Sequence, residues 1–431
     1  MASSIKPPTV LRRWLIKQHD LFMEDLSRAD LADWVICVGN ESGDLDTLAS
    51  SIAFAYLSSF YSSPQSIQSS SNLSFIPVQL TSSTDFDLRP ENMEALTSAD
   101  LIDENLFLPM KELVCRDRVD FSKFGPCGAK FALLDHNQLK ASIFGNQAQV
   151  IAVIDHHEPE MDNTLYLSAS PRIIQVPTGS CASLVTNYFA ARWPQEAFPT
   201  VLADFLLSAI SIDTSNFKPI STGGKATEAD NLAKQWLLAR SRFYLSTIPE
   251  DPFDLQSESR SADLDSQLKQ FHKHLSNLKN DVSKLNSSQL LLRDYKQYDT
   301  LGWALGLSTV PLELEHWVEE RSDSNWTELL VSLKEHAISK GLALAGILTH
   351  YKSKNSNRLD PGQQKHGRQL ILLVTDKKLG TIFERLEDFD KTATAETSLK
   401  LSPLVIKDQL FVENWVAPIL VRLMESFGPK L

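Results

Sequence analysis

Four short stretches concentrate carboxylate and imidazole side chains: GNESGDLDT (39–47), LLDHNQ (133–138), VIDHHEP (153–159) and SAISIDTSNF (208–217). Between them they supply Glu41, Asp44, Asp46, Asp135, His136, Asp155, His156, His157 and Asp213, with Asn40 beside the first acids. These are the oxygen and nitrogen ligands that Mn²⁺, Mg²⁺ or Co²⁺ take. Carboxylates packed this closely stay ionised at neutral pH only with cations among them; otherwise some take up protons. Two metal ions about 3.5–4 Å apart would satisfy several aspartates and hold a bridging water, whose depressed pKa makes it a hydroxide nucleophile. Each stretch alone has a plainer explanation. An aspartate after a strand caps a helix N-terminus, a His-His pair arises by accident, and Asp213 suits a C-terminal turn. Only their joint occurrence and order point to a metal centre.

The elements that must position these residues are legible as apolar runs. Trp34 to Val38, Phe131 to Leu134 and Val150 to Ile154 are continuous rather than alternating, the pattern of strands buried on both faces of a parallel sheet. Each is followed by aspartate, and in an open α/β sheet the carboxyl ends of neighbouring strands share the ligand-binding edge. Leu45, Leu48, Ile52, Ala55 and Ser59 follow helical spacing, and SSPQSIQSSSN (62–72) breaks that helix. Residues 196–213 also read as a helix, ending at Asp213. KPISTGGKATEAD (218–230) has the composition of a surface loop. From about residue 263 a long polar helix precedes β-like runs at 290–310, 342–349 and 369–375. The expected organisation is a catalytic α/β domain over 1–240 with a mostly parallel open sheet flanked by helices, a linker over 241–262, and a smaller C-terminal α/β domain over 263–431. The basic stretch HYKSKNSNRLDPGQQKHGR (350–368) is either a solvated loop or an anion-binding lid.

Composition excludes several classes. With 42 basic and 54 acidic residues the chain carries a net charge of −12, which argues against broad binding to nucleic acid or anionic membrane. Cys37, Cys115, Cys127 and Cys181 form no CxxC pair and fit free thiols in a reducing compartment. No run of about 18 apolar residues offers a membrane span. The cytoplasm is the expected address, with an organellar presequence as the alternative suggested by the arginine-bearing start.

At Asp155-His156-His157 and the three other stretches the sequence resembles the DHH phosphoesterase superfamily. Asn40 stands where family II inorganic pyrophosphatases place a histidine, which makes the chain most similar to the exopolyphosphatase and prune branch. LLLRDYKQY (290–298) and LGWALGLSTV (301–310) resemble the start of the DHH-associated second domain of exopolyphosphatases and those pyrophosphatases, and a GGGH signature is absent because Gly223-Gly224 precede Lys225.

The resemblance implies two divalent ions, Mn²⁺ or Mg²⁺ with Co²⁺ possible. Asp44 corresponds to a ligand of one and Asp46 to a ligand of the other, with Asp135 bridging, His156 and Asp213 completing the second, and Asn40 a weaker, neutral ligand. It implies that His157 faces substrate, that Asp155 orients a histidine, and that His136 lies near the nucleophilic water or a phosphate. Gly179 and Ser180 offer backbone N–H groups to the site or simply cap a helix. Lys296 matches a phosphate-binding lysine, and His366 and Arg368 are further cationic candidates. Relatives carry Ser-Arg-Lys before the last apolar helix, whereas this chain has Glu413 and Asn414 there. The implied activity is hydrolysis of the terminal phosphoanhydride of inorganic polyphosphate. The alternatives are a pyrophosphatase or nucleotide phosphohydrolase on the same machinery, or a slow, prune-like interaction protein.

Overall fold

The run Trp34–Val38 forms β1, all five residues buried, with Val35 and Cys37 facing one hydrophobic layer and Trp34, Ile36 and Val38 the other. Side chains alternate across a strand, so a strand sandwiched between two layers has to be apolar throughout. The computed structural model describes residues 9–60, 73–102, 112–145, 147–159, 166–192, 198–242, 257–321, 325–352, 366–382, 406–407 and 420–429. The broken stretch 62–72, most of the basic stretch 350–368, and Glu413 and Asn414 lie outside them. The chain divides into two units, Met1–Lys279 and Asn280–Leu431.

In the first unit β1 is joined by β2 (Ser74–Gln79), β3 (Val114–Cys115), β4 (Lys130–Leu134), β5 (Gln149–Asp155) and β6 (Arg172–Ile174). The order is β3-β2-β1-β4-β5-β6, with every pair parallel. Winding runs outward from β1 through β2 to β3, then resumes on the other side of β1 at β4. The switch point is therefore the crevice between the carboxyl ends of β1 and β4. Helices α1 (Val10–Ser27), α2 (Leu45–Phe60), α3 (Pro90–Ser98), α4 (Ala141–Phe144), α5 (Cys181–Ala190), α6 (Thr200–Asp213), α7 (Glu228–Leu238) and α8 (Ser257–Asn280) complete the unit. Helices α2, α5 and α6 are apolar nearly all round and pack on the face that receives Val35, Cys37, Leu134 and Ile154. Helix α8 is polar except for a stripe carrying Leu268 and Leu275, two turns apart and buried in the same layer.

The second unit holds α9 (Ser287–Arg293), β7 (Tyr295–Thr300), β8 (Trp303–Val310), α10 (Leu314–Arg321), α11 (Trp326–Ser339), β9 (Leu344–Thr349), β10 (Tyr351–Lys352), β11 (His366–Gly367), β12 (Gln369–Val374) and β13 (Ile406–Lys407). Its five-stranded sheet, β13-β12-β9-β8-β7, is mixed: β8 and β9 are parallel and the other pairs antiparallel. The β-like run expected from residue 290 begins instead as helix. Asn286 and Gln289 form a reciprocal capping box that starts α9, and its turns bury Leu290 and Leu291.

Candidate metal centre

Sequence-distant acids meet at the switch point because β1, β4 and β5 end side by side. Asp44 and Asp46 follow β1, Asp135 follows β4, and the 155–157 triplet ends β5. Asp44 does what a plain N-cap does: its Oδ1 accepts the Thr47 N–H at 2.9 Å at the start of α2. Asp46, in the first turn of α2, is completely buried and serves another helix. Its carboxylate accepts the Ser180 hydroxyl (2.7 Å) and the backbone N–H groups of Cys181 (2.6 Å) and Ala182 (2.8 Å), the free donors opening α5. Those N–H groups therefore reach the site through Asp46. The Gly179 N–H goes elsewhere, to the buried carboxylate of Asp230 at 2.9 Å.

Asp135 is the hub. It is buried, and its φ of +64° lies in the left-handed region that costs an ordinary residue about 1–2 kcal/mol. Its Oδ2 accepts Thr47 Oγ1 (2.6 Å) and Asn40 Nδ2 (2.8 Å). Its Oδ1 is buried with no hydrogen-bond partner, 3.1 Å from His156 Nε2 and 3.6 Å from His157 Nδ1. His156 Nε2 also lies 3.7 Å from Asp46 Oδ2.

All three histidines are oriented the same way. His156 Nδ1 lies 3.0 Å from the Thr178 carbonyl, His157 Nδ1 2.8 Å from Asp155 Oδ1, and His136 Nδ1 3.0 Å from the Leu134 carbonyl. Each partner can only accept, so Nδ1 carries a proton and Nε2 is the ring nitrogen left to face the site. Asp155, fully buried, also accepts the N–H groups of His156 and His157 and the Asn137 amide. Burial alone would raise its pKa, but the contacts with His157, His156 and Asn137 hold it below the usual carboxylate value.

The electrostatics fit a cation. Burial pushes Asp46 well above the ordinary carboxylate pKa, and Asp135 and Asp213 push it further in the same direction. Asp213, at the end of α6, is raised by burial and by Asp44, against Lys279 and Lys225. Burial would lower the pKa of His156, yet the surrounding Asp135, Asp46 and Asp213 carry it to about 10. The His156 ring thus meets the acids through Nε2, 3.1 Å from Asp135 Oδ1. Two groups place their ligand atoms within 4.8 Å of one another: Asp46, His156 and Asp213, and Asp135, His156 and His157. Asp46, Asp135, His156, His157 and Asp213 fall in these groups, and Asp44 acts electrostatically on Asp46 and Asp213. His136 is adjacent but belongs to neither group.

Asn40 meets Asp135 through its amide nitrogen, and its oxygen faces Ser42. Glu41 is not a solvent-facing acid: it pairs with Lys140 at 2.5 Å, tying the loop after β1 to the loop after β4. Lys296 lies in β7 and Arg368 just before β12, both in the second unit. His366 is in β11; its side chain lies outside the described residues. Sequence reasoning missed Ser42 and Thr47, inside the first motif and legible there only as small polar residues. It also missed Asn137, Thr178, and the clamp of Arg89 and Asn92, which donate to the Ser42 and Gly43 carbonyls at 2.7 and 2.8 Å. Asp230 left one local signal, the T-x-x-D capping box with Thr227.

Two family models match the chain: the DHH family N-terminal domain over residues 34–210 and the DHHA2 domain over 273–407. Exopolyphosphatase PRUNE1 of Mus musculus is 25% identical over 321 residues, 74% of this chain and 60% of its own length. A Schizosaccharomyces pombe protein assigned as an exopolyphosphatase is 28% identical over 346 residues, 78% of this chain and 74% of its own. The chain thus spans less than two thirds of the mouse relative. Among solved structures, a Methanococcus jannaschii protein assigned to the family II inorganic pyrophosphatases superposes with a TM-score of 0.53 at 19% identity, covering 90% of this chain and 99% of that one, a likeness of fold.

Proposed function

Because the chain belongs to the exopolyphosphatase and prune branch of the DHH superfamily, we propose that this phosphoanhydride hydrolase is a metal-dependent exopolyphosphatase releasing orthophosphate from the end of inorganic polyphosphate. The observation that carries the reading is the buried, unpartnered Oδ1 of Asp135, facing His156 Nε2 among acids that repel one another unless a cation joins them. Asp46, Asp135, His156 and Asp213 hold one divalent ion, Mn²⁺ or Mg²⁺, and Asp44 faces a second position beside Asn40. Such ions polarise a phosphoryl oxygen and lower the pKa of a water.

The chain's own groups do the rest. Asp155, kept ionised, fixes the His157 ring through Nδ1, so that Nε2 is the nitrogen offered to a phosphate or leaving oxygen. His136, its Nδ1–H spent on the Leu134 carbonyl, turns Nε2 toward water near Asp135.

The second reading is a pyrophosphatase or nucleotide phosphohydrolase on the same site, supported by an Archaeoglobus fulgidus protein assigned as a manganese-dependent inorganic pyrophosphatase and 24% identical over 72% of the chain. Glu413 and Asn414, in place of two cations, favour a slower, interaction-type protein. Phosphate release from long and short polyphosphate, pyrophosphate and ATP, measured after chelation and with Mn²⁺ or Mg²⁺ restored, separates the three. Release from polyphosphate ahead of the others is expected; silence on every substrate removes the enzyme reading.

A further inference from the structure

Resting on the metal reading above and deepening it, we propose that Asn40 is a positioning residue for Asp135 and not a metal ligand. The two cation positions are in consequence unequal: one tight, at Asp46, Asp135, His156 and Asp213, and one weak, beside Asp44. An amide ligates a hard cation through its oxygen. In Asn40 that oxygen is spoken for, since Oδ1 accepts the Ser42 backbone N–H at 3.0 Å and the Ser42 hydroxyl at 2.6 Å. Its two amide hydrogens go to Asp135, at 2.8 Å to Oδ2 and 3.0 Å to the backbone carbonyl. All four hydrogen bonds open to the group are made. The orientation follows from the partners, because a backbone N–H can only donate and a carbonyl only accept. A flipped amide would set donor against donor and acceptor against acceptor.

The consequence falls on Asp135. With Asn40 and Thr47 both donating to Oδ2, the outward lone pairs of that oxygen are engaged by protein, and only Oδ1 remains for a cation, on the His156 side. Asp135 can reach the position beside Asp44 only by giving up those bonds. Asp44 Oδ1 accepts the Thr47 N–H, and the single Ser42 hydroxyl hydrogen lies between Asn40 Oδ1 at 2.6 Å and Asp44 Oδ2 at 3.1 Å. The bond from Asn40 to the Asp135 carbonyl also braces the left-handed backbone there. On the other side the ligand atoms of Asp46, His156 and Asp213 lie within 4.8 Å of one another, and the open Oδ1 of Asp135 lies 3.1 Å from His156 Nε2, although Asp46 also accepts the first N–H groups of α5.

The test is a Mn²⁺ titration of the metal-stripped full chain, followed by calorimetry and by electron paramagnetic resonance. Wild type is expected to bind one Mn²⁺ tightly with a mononuclear signal, and a second at least about tenfold more weakly. Asn40→His, which replaces the saturated amide with a ligand, should bring stoichiometry to two and produce a spin-coupled signal. Asn40→Ala should keep one tight ion but lose about 10–100-fold in its affinity, as loss of a group orienting a ligand does. Two ions of comparable affinity in wild type would overturn the proposal while leaving the metal centre standing, as would Asn40→Ala reducing two ions to one. No Mn²⁺ binding at all removes the centre itself, and the inference with it. If Asn40→Ala fails to fold, the wild-type stoichiometry and the Asn40→His signal still decide.

Discussion

Asp135 is the residue on which the centre turns, and its environment is divided. Its Oδ2 faces donors, its Oδ1 faces His156, and its backbone is held in a conformation that an ordinary residue avoids. Asp135→Ala should therefore abolish both turnover and Mn²⁺ binding, measured by phosphate release and by calorimetry on the same preparation. Full activity in that variant would mean the site lies elsewhere. At this scale the sequence was informative about kind and poor about atoms. Aspartates and histidines in four motifs announced a cation site, and Asp46, Asp135, His156 and Asp213 do converge. No pattern of letters shows which oxygen of Asp135 is open, or that the Asn40 amide is saturated, because those facts depend on Ser42 and Thr47 turning toward them.

Between elements, the centre is braced by helix starts. Asp46 on α2 satisfies the first N–H groups of α5, and Asp230 on α7 takes the Gly179 N–H (2.9 Å), the Ser183 hydroxyl (2.7 Å) and both the N–H and hydroxyl of Thr227 (2.7 Å each). The carbonyl just before Gly179, that of Thr178, orients His156. In Asp230→Ala buried donors lose their acceptor, at about 1–3 kcal/mol each, so a loss of about 2–4 kcal/mol is expected together with weaker Mn²⁺ binding. Unchanged melting and metal affinity would contradict this bracing role. In the second unit, His336 on α11 lies edge-on to Tyr295 with centroids 5.0 Å apart, and burial, helped by Lys340, lowers its pKa to about 4. The unfolded chain titrates near 6.5, so it binds the proton first as pH falls. That lowering means stability declines between about pH 6.5 and 4 and is recovered above it. His336→Gln should flatten that part of the melting-temperature profile, and an identical acid slope in the variant would rule His336 out as its source. Strands were the most legible elements, since doubly buried β1, β4 and β5 must be continuously apolar. Helix α9 was misread as strand because LLLR is equally apolar in either period, and the Asn286–Gln289 capping box decides between them.

Over the whole molecule, a cation that binds only the folded state adds stability by mass action, about 2.7 kcal/mol at a hundredfold excess over its Kd. Saturating Mn²⁺ should accordingly raise the calorimetric transition of the Met1–Lys279 unit, and a chelator should reverse it. A transition indifferent to both would contradict the metal assignment. No described helix is long and apolar enough to cross a membrane. The order of strands could not be read from the chain, because β1, β2 and β4 carry similar apolar runs and nothing local says that β4 returns to the far side of β1. By itself the sequence determined the carboxylates and imidazoles, their order and the strands that end in them, since composition and periodicity are local properties. Tertiary structure alone decided which of those atoms are available: Ser180 meets Asp46 across 134 residues and Asn40 meets Asp135 across 95. A lone pair already given to a protein donor is one that a metal cannot use, and only packing sets its direction.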